Sequence, residues 1–152
     1  MKQKVLLASN NAHKIKEIRA ILGDFFDIVS LREAGVESDP EETGKTFEEN
    51  ARIKAVAGMK ASGMPCIADD SGLEVLALDC RPGVMSARYS GSHGDDAANN
   101  EKLLAELADK PDRSARYVCV ICMAFPDGRE LEARGECYGE ILKEKRGNGG
   151  FG

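Results

Sequence analysis

Histidine is almost missing: the 152-residue chain holds only His13 and His93. A multi-histidine metal centre is therefore excluded. HExxH, GxSxG and the GxxxxGK[ST] phosphate loop do not occur. That sets aside the zinc-protease, nucleophile-elbow and P-loop chemistries. No apolar run approaches the roughly 18 residues of a membrane helix, so no membrane association is expected. The N-terminal MKQKVLLASNN breaks at Ser9, too early for a signal peptide. Positive charge is in deficit, with 21 Lys and Arg against 26 Asp and Glu, a net −5. This disfavours a general nucleic-acid or anionic-membrane binder, yet leaves room for an anionic substrate held by local cations and a metal. The five cysteines, at 66, 80, 119, 122 and 137, are odd in number and scattered. They read as reduced thiols of a cytosolic protein.

What is present suits one globular domain, placed here over residues 1–152. Hydrophobic residues make up 42% and charged residues 31%, and a chain of this size buries about two-thirds of its surface. Lys4 to Ser9 reads as a buried strand. Ile15, Ile18 and Leu22 then recur at helical spacing up to a stop at Gly23. Phe26 to Leu31 reads as a second strand, which makes an α/β unit. An acidic loop, residues 33–45, leads to a helix announced by Thr46 and Glu49 at capping-box spacing. Cys66 to Asp69 reads as a third strand and Leu73 to Leu78 as another. Residues 80–94 read as a long ordered loop, and 95–109 as a helix with Leu103, Leu104 and Leu107 as its stripe. A hairpin follows, turning at Asp127-Gly128. Its first strand, Ser114 to Phe125, is apolar on both faces and expected centrally in the sheet. Its second alternates, with Leu131, Ala133, Gly135 and Cys137 on a dry face and Glu130, Glu132, Arg134 and Glu136 on a wet one.

Five segments carry candidate chemistry. SNNAHK (Ser9, Asn10, Asn11, Ala12, His13, Lys14) lies where a strand hands over to a helix. It is either an anion cradle of backbone N–H groups with a lysine, or a polar turn capped by Asn10 or Asn11. In EETGKTFEENARIK, the residues Thr46, Asn50 and Lys54 share one helix face beside the acidic pair Glu41 and Glu42. This suits a metal–phosphate complex, or simply a solvated face. In IADDSG, Asp69 and Asp70 follow a strand and should point to opposite faces. A carboxylate there suits Mg²⁺ or a base that orients water; a turn-capping Asp-Ser-Gly is the plain alternative. PGVMSARYSG presents Arg88 and Tyr89 either to a ligand or to internal packing. GNGGFG (147–152) is either a loop that approaches a ligand closely, with Phe151 free to stack on a base, or a terminal tail. Cys119 and Cys122 spell CxxC within a strand, where the spacing sends them to opposite faces, so a zinc or redox pair is not expected.

Taken in order, ASNNAHKIKE, EETGKTFEENARIKA, IADDSGLEV, PGVMSARYSG and GNGGFG resemble the inosine/xanthosine triphosphate pyrophosphatases over the whole chain. The resemblance implies an elongated, curved mixed β-sheet flanked by helices, with a nucleotide cleft between two lobes. It implies Mg²⁺-dependent hydrolysis of ITP, dITP and XTP to the monophosphate and pyrophosphate by a cytoplasmic homodimer. It makes Asp70 the proton acceptor and a metal ligand, Glu42 a metal ligand (with Glu41 as the less favoured substitute), and Asp69 a neighbour that orients metal-bound water. It gives substrate contacts to Ser9, Asn10, Asn11, Ala12, His13, Lys14, Asn50, Lys54 and Ser71. Phe151, followed by Gly152, would stack on the base. Family members continue past this loop with a Tyr-Asp-Pro, a late lysine and a Ser-His-Arg segment. The chain is therefore expected to be truncated at its C-terminus, and an impaired nucleotide-binding fragment is the alternative function.

Overall fold

In a computed structural model of the chain, residues 1–149 are described. The chain divides into two compact units, Met1–Asp70 with Val120–Arg134, and Ser71–Cys119 with the chain from Gly135 on. Among the described residues six strands form one mixed sheet. They are β1 (Gln3–Leu7), β2 (Phe26–Ser30), β3 (Cys66–Val75), β4 (Arg81–Pro82), β5 (Ser114–Ala124) and β6 (Glu130–Glu140). The order is β2-β1-β3-β5-β6, with β4 paired to β3. β1 runs parallel to β2, from Gln3 opposite Phe26 to Leu7 opposite Ser30, and parallel to β3, with Leu6 opposite Cys66. β4 is antiparallel to β3. The expected mixed α/β sheet with flanking helices is what forms.

In the first unit, β1 is buried on both faces because consecutive strand residues alternate. Val5 and Leu7 meet Ile28, Ile67 and Met123, and against them pack Ile15, Ile18 and Leu22 of helix α1 (Ala12–Leu22). Leu6 instead joins Leu31 and Cys66 and meets Met59 of helix α3 (Phe47–Ser62). Along α3 the buried residues are Phe47, Asn50, Ala51, Ala55 and Gly58. Small side chains dominate that stripe and bring the helix close to the sheet. Gly63 ends α3 in the left-handed conformation, φ 70°, that favours glycine. A short helix, α2 (Leu31–Ala34), follows β2, taking the expected strand end at Leu31 and the first residues of the expected loop. It carries the reciprocal capping box, Ser30 with Glu33. At α3 only half of the expected box forms. Thr46 accepts from the Glu49 N–H, while the Glu49 carboxylate turns to the N–H of Lys45.

The second unit is built on Val75, Leu78, Tyr89, Leu103, Leu107 and Ala115. Helix α4 (Asp96–Glu106), capped by Asp95, supplies Leu103, and Leu107 follows directly after it. The long loop is ordered by a 3-10 turn, Gly83–Arg88, whose Ser86 hydroxyl accepts from the Leu73 N–H. Tyr89 packs internally, its hydroxyl on Glu106 and its ring beneath Lys102.

Two further expectations change. The break expected between Cys66–Asp69 and Leu73–Leu78 does not occur: β3 is one ten-residue strand, and Asp69 and Asp70 lie inside it. The dry face expected of the second hairpin strand is also not dry, since every residue of β6 is exposed. Alternation reports which residues share a face but not whether anything covers it. All five cysteines are free thiols. Burial pushes Cys66 up to about 12, which keeps it an inert thiol. Cys119 is exposed and Cys122 buried, as opposite faces require. Among the described residues no helix is long and apolar enough to cross a membrane.

Candidate active site

The first unit gathers most of the sequence-nominated groups at one place. β3 delivers Asp69 and Asp70 to opposite faces, and each meets a lysine from a different helix. Lys14 Nζ of α1 lies 2.8 Å from Asp69 Oδ2. Lys54 Nζ of α3 lies 3.6 Å from Asp70 Oδ1 and 3.2 Å from Glu42 Oε2. Lys54 comes two turns after the Thr46 cap, so the capping residues set where along α3 its ammonium emerges. Glu42, rather than the exposed Glu41, reaches this cluster.

Asp70 is only 8% exposed. Burial raises its pKa above the ordinary carboxylate value. Lys54 and a hydrogen bond from Asn50 pull it back down, and Glu42 and Asp69 push it up. Its Oδ2 is buried without a hydrogen-bond partner. A buried acceptor left unpaired costs free energy, about 1–3 kcal/mol and more for a charged group. Such an atom is suited to a cation or to the proton of an attacking water. Among the described residues, no group of three or more His, Cys, Asp or Glu is gathered as a ready cation cage. Mg²⁺ does not need one, because it binds through one or two carboxylates, water and substrate phosphates. Glu42 and Asp70, held near one ammonium with one oxygen orphaned, fit that requirement.

The SNNAHK turn is organised internally. The Ser9 hydroxyl accepts from the Asn11 N–H at 3.0 Å. Asn11 caps α1, taking the N–H groups of His13 at 2.9 Å and Lys14 at 3.3 Å. Asn10 Oδ1 accepts from the Arg32 N–H at 3.0 Å. The capped-turn alternative is thus realised by Asn11, and several N–H groups of the cradle are already engaged. Ala12 and His13 are exposed at the first turn of α1. Ser71 follows Asp70 on β3 and is exposed. Phe151 and Gly152 lie outside the described residues.

Two features were not anticipated from the sequence. The Gly44 N–H donates to Asn50 Oδ1 at 2.8 Å, which ties the acidic loop to α3. α3 is also tied to β6 by Arg52 with Glu130, at 2.7 and 2.9 Å, and by Arg134 with Glu48 at 2.7 Å. The only sequence signal for the first was a glycine just ahead of a helix cap. The second had none, since the partners lie 78 and 86 residues apart.

The central strand of the mixed sheet thus carries two carboxylates, each paired with a lysine from a flanking helix, an arrangement suited to handling phosphate. The chain belongs to the Ham1 family, whose profile matches residues 5–152. It is 54% identical over 149 residues to a dITP/XTP pyrophosphatase of Desulfotalea psychrophila, covering 97% of this chain and 67% of that protein. Among solved structures it matches the Staphylococcus aureus Ham1 protein at a TM-score of 0.90 and 46% identity. It matches a HAM1 protein from Coxiella burnetii at 0.91 and 42%. Each of those two matches covers 99% of this chain and 78% of the other.

Proposed function

We propose that the chain is a nucleoside-triphosphate pyrophosphatase that hydrolyses non-canonical purine nucleotides, dITP, ITP and XTP, to the monophosphate and pyrophosphate. The observation that carries the reading is the buried, orphaned Asp70 Oδ2 beside Lys54 and Glu42. The activity in the names of relatives such as the Desulfotalea protein supports it.

Asp70 is the proton acceptor. It takes a proton from water as the water oxygen bonds to the α-phosphorus and the α–β bridging bond breaks, releasing pyrophosphate. Its raised pKa makes it a better base than an exposed aspartate. Glu42 and Asp70 would hold Mg²⁺, which would supply charge neutralisation on the phosphates. Asp69 orients water near that pair. Lys54 and Lys14 are placed to neutralise phosphate oxygens, each exchanging a carboxylate partner for substrate. The side chains of Ser9, Asn10 and His13, with the Asn11–Ala12 backbone, line the same approach, and Ser71 touches substrate from β3. Phe151, with Gly152, stacks on the base. The protein works as a cytoplasmic homodimer.

The test is pyrophosphate release from ITP, dITP, XTP, dGTP and ATP with and without Mg²⁺. Metal-dependent release from the first three and little from ATP is expected. Equal cleavage of ATP and ITP overturns the substrate class, and full activity in EDTA overturns the metal.

A further inference from the structure

Asn50 is among the largest fully buried side chains, 1% exposed, although it sits on the α3 face that also carries Lys54. A buried amide must satisfy both of its ends. Its oxygen accepts from the Gly44 N–H at 2.8 Å. An N–H can be met only by an acceptor, so that partner fixes which end faces the loop and leaves the amide nitrogen for the Asp70 side, where Asn50 favours the charged carboxylate. The loop has no slack at this point. A Cβ on Gly44 would lie 2.5 Å from Asn50 Oδ1 and 2.7 Å from Glu49 Cβ. The next residue is pinned as well, with the Lys45 N–H donating to Glu49 Oε2 at 2.6 Å. Glu42 stands two residues before Gly44, and its carboxylate reaches Lys54.

We propose that Asn50 is a positioning residue rather than a substrate contact: its amide clamps Gly44 on one side and Asp70 on the other, so that Glu42 and Asp70 are presented together. The inference rests on the reading of those two carboxylates as the cation-holding pair. An aliphatic side chain at position 50 would strand the Gly44 N–H. A carboxylate would keep that bond and set a second negative charge against Asp70. An alanine at 44 would displace the loop while leaving Asn50 and Asp70 chemically intact.

Gly44→Ala and Asn50→Asp are compared with wild type in two measurements. The first is Mn²⁺ binding by electron paramagnetic resonance without nucleotide. The second is steady-state dITP hydrolysis with Mg²⁺. Loss of a partner that orients metal-binding groups weakens metal affinity or activity by about 10-fold or more. Both variants should show that loss in Mn²⁺ affinity and in kcat, with KM for dITP within about threefold of wild type. Mn²⁺ affinity unchanged in both variants overturns the clamp. A raised KM at unchanged kcat in Asn50→Asp also overturns it, because that pattern belongs to a substrate contact. If wild type itself releases no pyrophosphate from any purine triphosphate, the functional reading fails, while the nucleotide-free Mn²⁺ comparison still decides the clamp. Circular dichroism identifies a variant that does not fold, and the other variant then carries the comparison.

Discussion

Lys54 Nζ stands 3.6 Å from Asp70 Oδ1 while the other oxygen of the same carboxylate, also buried, has no hydrogen-bond partner. The arrangement is half-compensated by design of the chain. One oxygen is answered from α3, and the other by no described residue. Burial then makes the charge on Asp70 costly, which is why its pKa is raised despite a lysine alongside.

Asp70→Asn follows directly. A carboxylate whose folded pKa is raised adds stability that is fully present below its unfolded pKa and is lost as pH rises through the folded value. At neutral pH wild type therefore carries the cost of the ionised group, and the neutral amide removes it. Turnover of dITP should fall by about 100-fold or more. The melting temperature of the metal-free variant at pH 7 should be no lower than wild type. Turnover within severalfold of wild type removes Asp70 as base, and a clearly lower melting temperature contradicts the cost assigned to its charge.

Lys54→Met leaves Glu42 and Asp70 sharing a site without the ammonium between them. The metal-free variant should melt about 4 °C or more below wild type at pH 7, because repulsion between partly buried carboxylates is no longer offset. The deficit should narrow at pH 5, where protonation relieves it. Mn²⁺ should raise the melting temperature of the variant more than that of wild type. Calorimetry with and without the ion checks this, and an equal rise in both proteins argues against a cation between those two residues.

How far the sequence foretold this site depends on which interactions are local. A cap of α1 at Asn10 or Asn11, which the fold assigns to Asn11, Thr46 as the cap of α3, and Asp69 and Asp70 on opposite faces all follow from spacing within a few residues. The unbroken β3 was missed because Asp-Asp-Ser-Gly has poor strand propensity. Tertiary contact overrides it: Lys14 and Lys54 answer the two carboxylates, and Ser86 answers the Leu73 N–H. The reciprocal capping box at Ser30–Glu33 was missed because the helix it starts, Leu31–Ala34, is four residues long and has no periodicity to detect. The exposure of β6 could not be read at all. An alternating strand looks the same whether its apolar face is covered or open.

Glu33 sets an acid-stability signature. Hydrogen bonds from the Ser30 backbone and hydroxyl and from Arg19 hold it down to about 2, against an ordinary 4.5. A depressed carboxylate adds stability that is present above its unfolded pKa and is lost as pH falls through its folded pKa. Glu33→Gln should therefore differ most from wild type near neutrality, and the two urea midpoints should converge between about pH 5 and pH 2. A constant offset across that window would show that the carboxylate charge is not what anchors α2.

Gly58 tests how tightly α3 lies on the sheet. Alanine is favoured over glycine inside a helix by roughly 0.5–1 kcal/mol, so Gly58→Ala would stabilise an exposed helix. Here a Cβ would lie 2.6 Å from Cys66 Sγ and 3.3 Å from Leu6 Cδ2. Both neighbours are fully buried, with no space to retreat into. Overpacking costs about 1–3 kcal/mol, which exceeds the propensity gain. Urea unfolding of Gly58→Ala should show net destabilisation. In a Cys66→Ala background the sulfur is gone, the new methyl group occupies part of the space it leaves, and the same substitution should become neutral or stabilising. The coupling between the two positions should therefore be favourable by about 1 kcal/mol or more. Additive effects in that cycle would mean that the close approach of α3 to β3 is not what excludes a side chain at position 58.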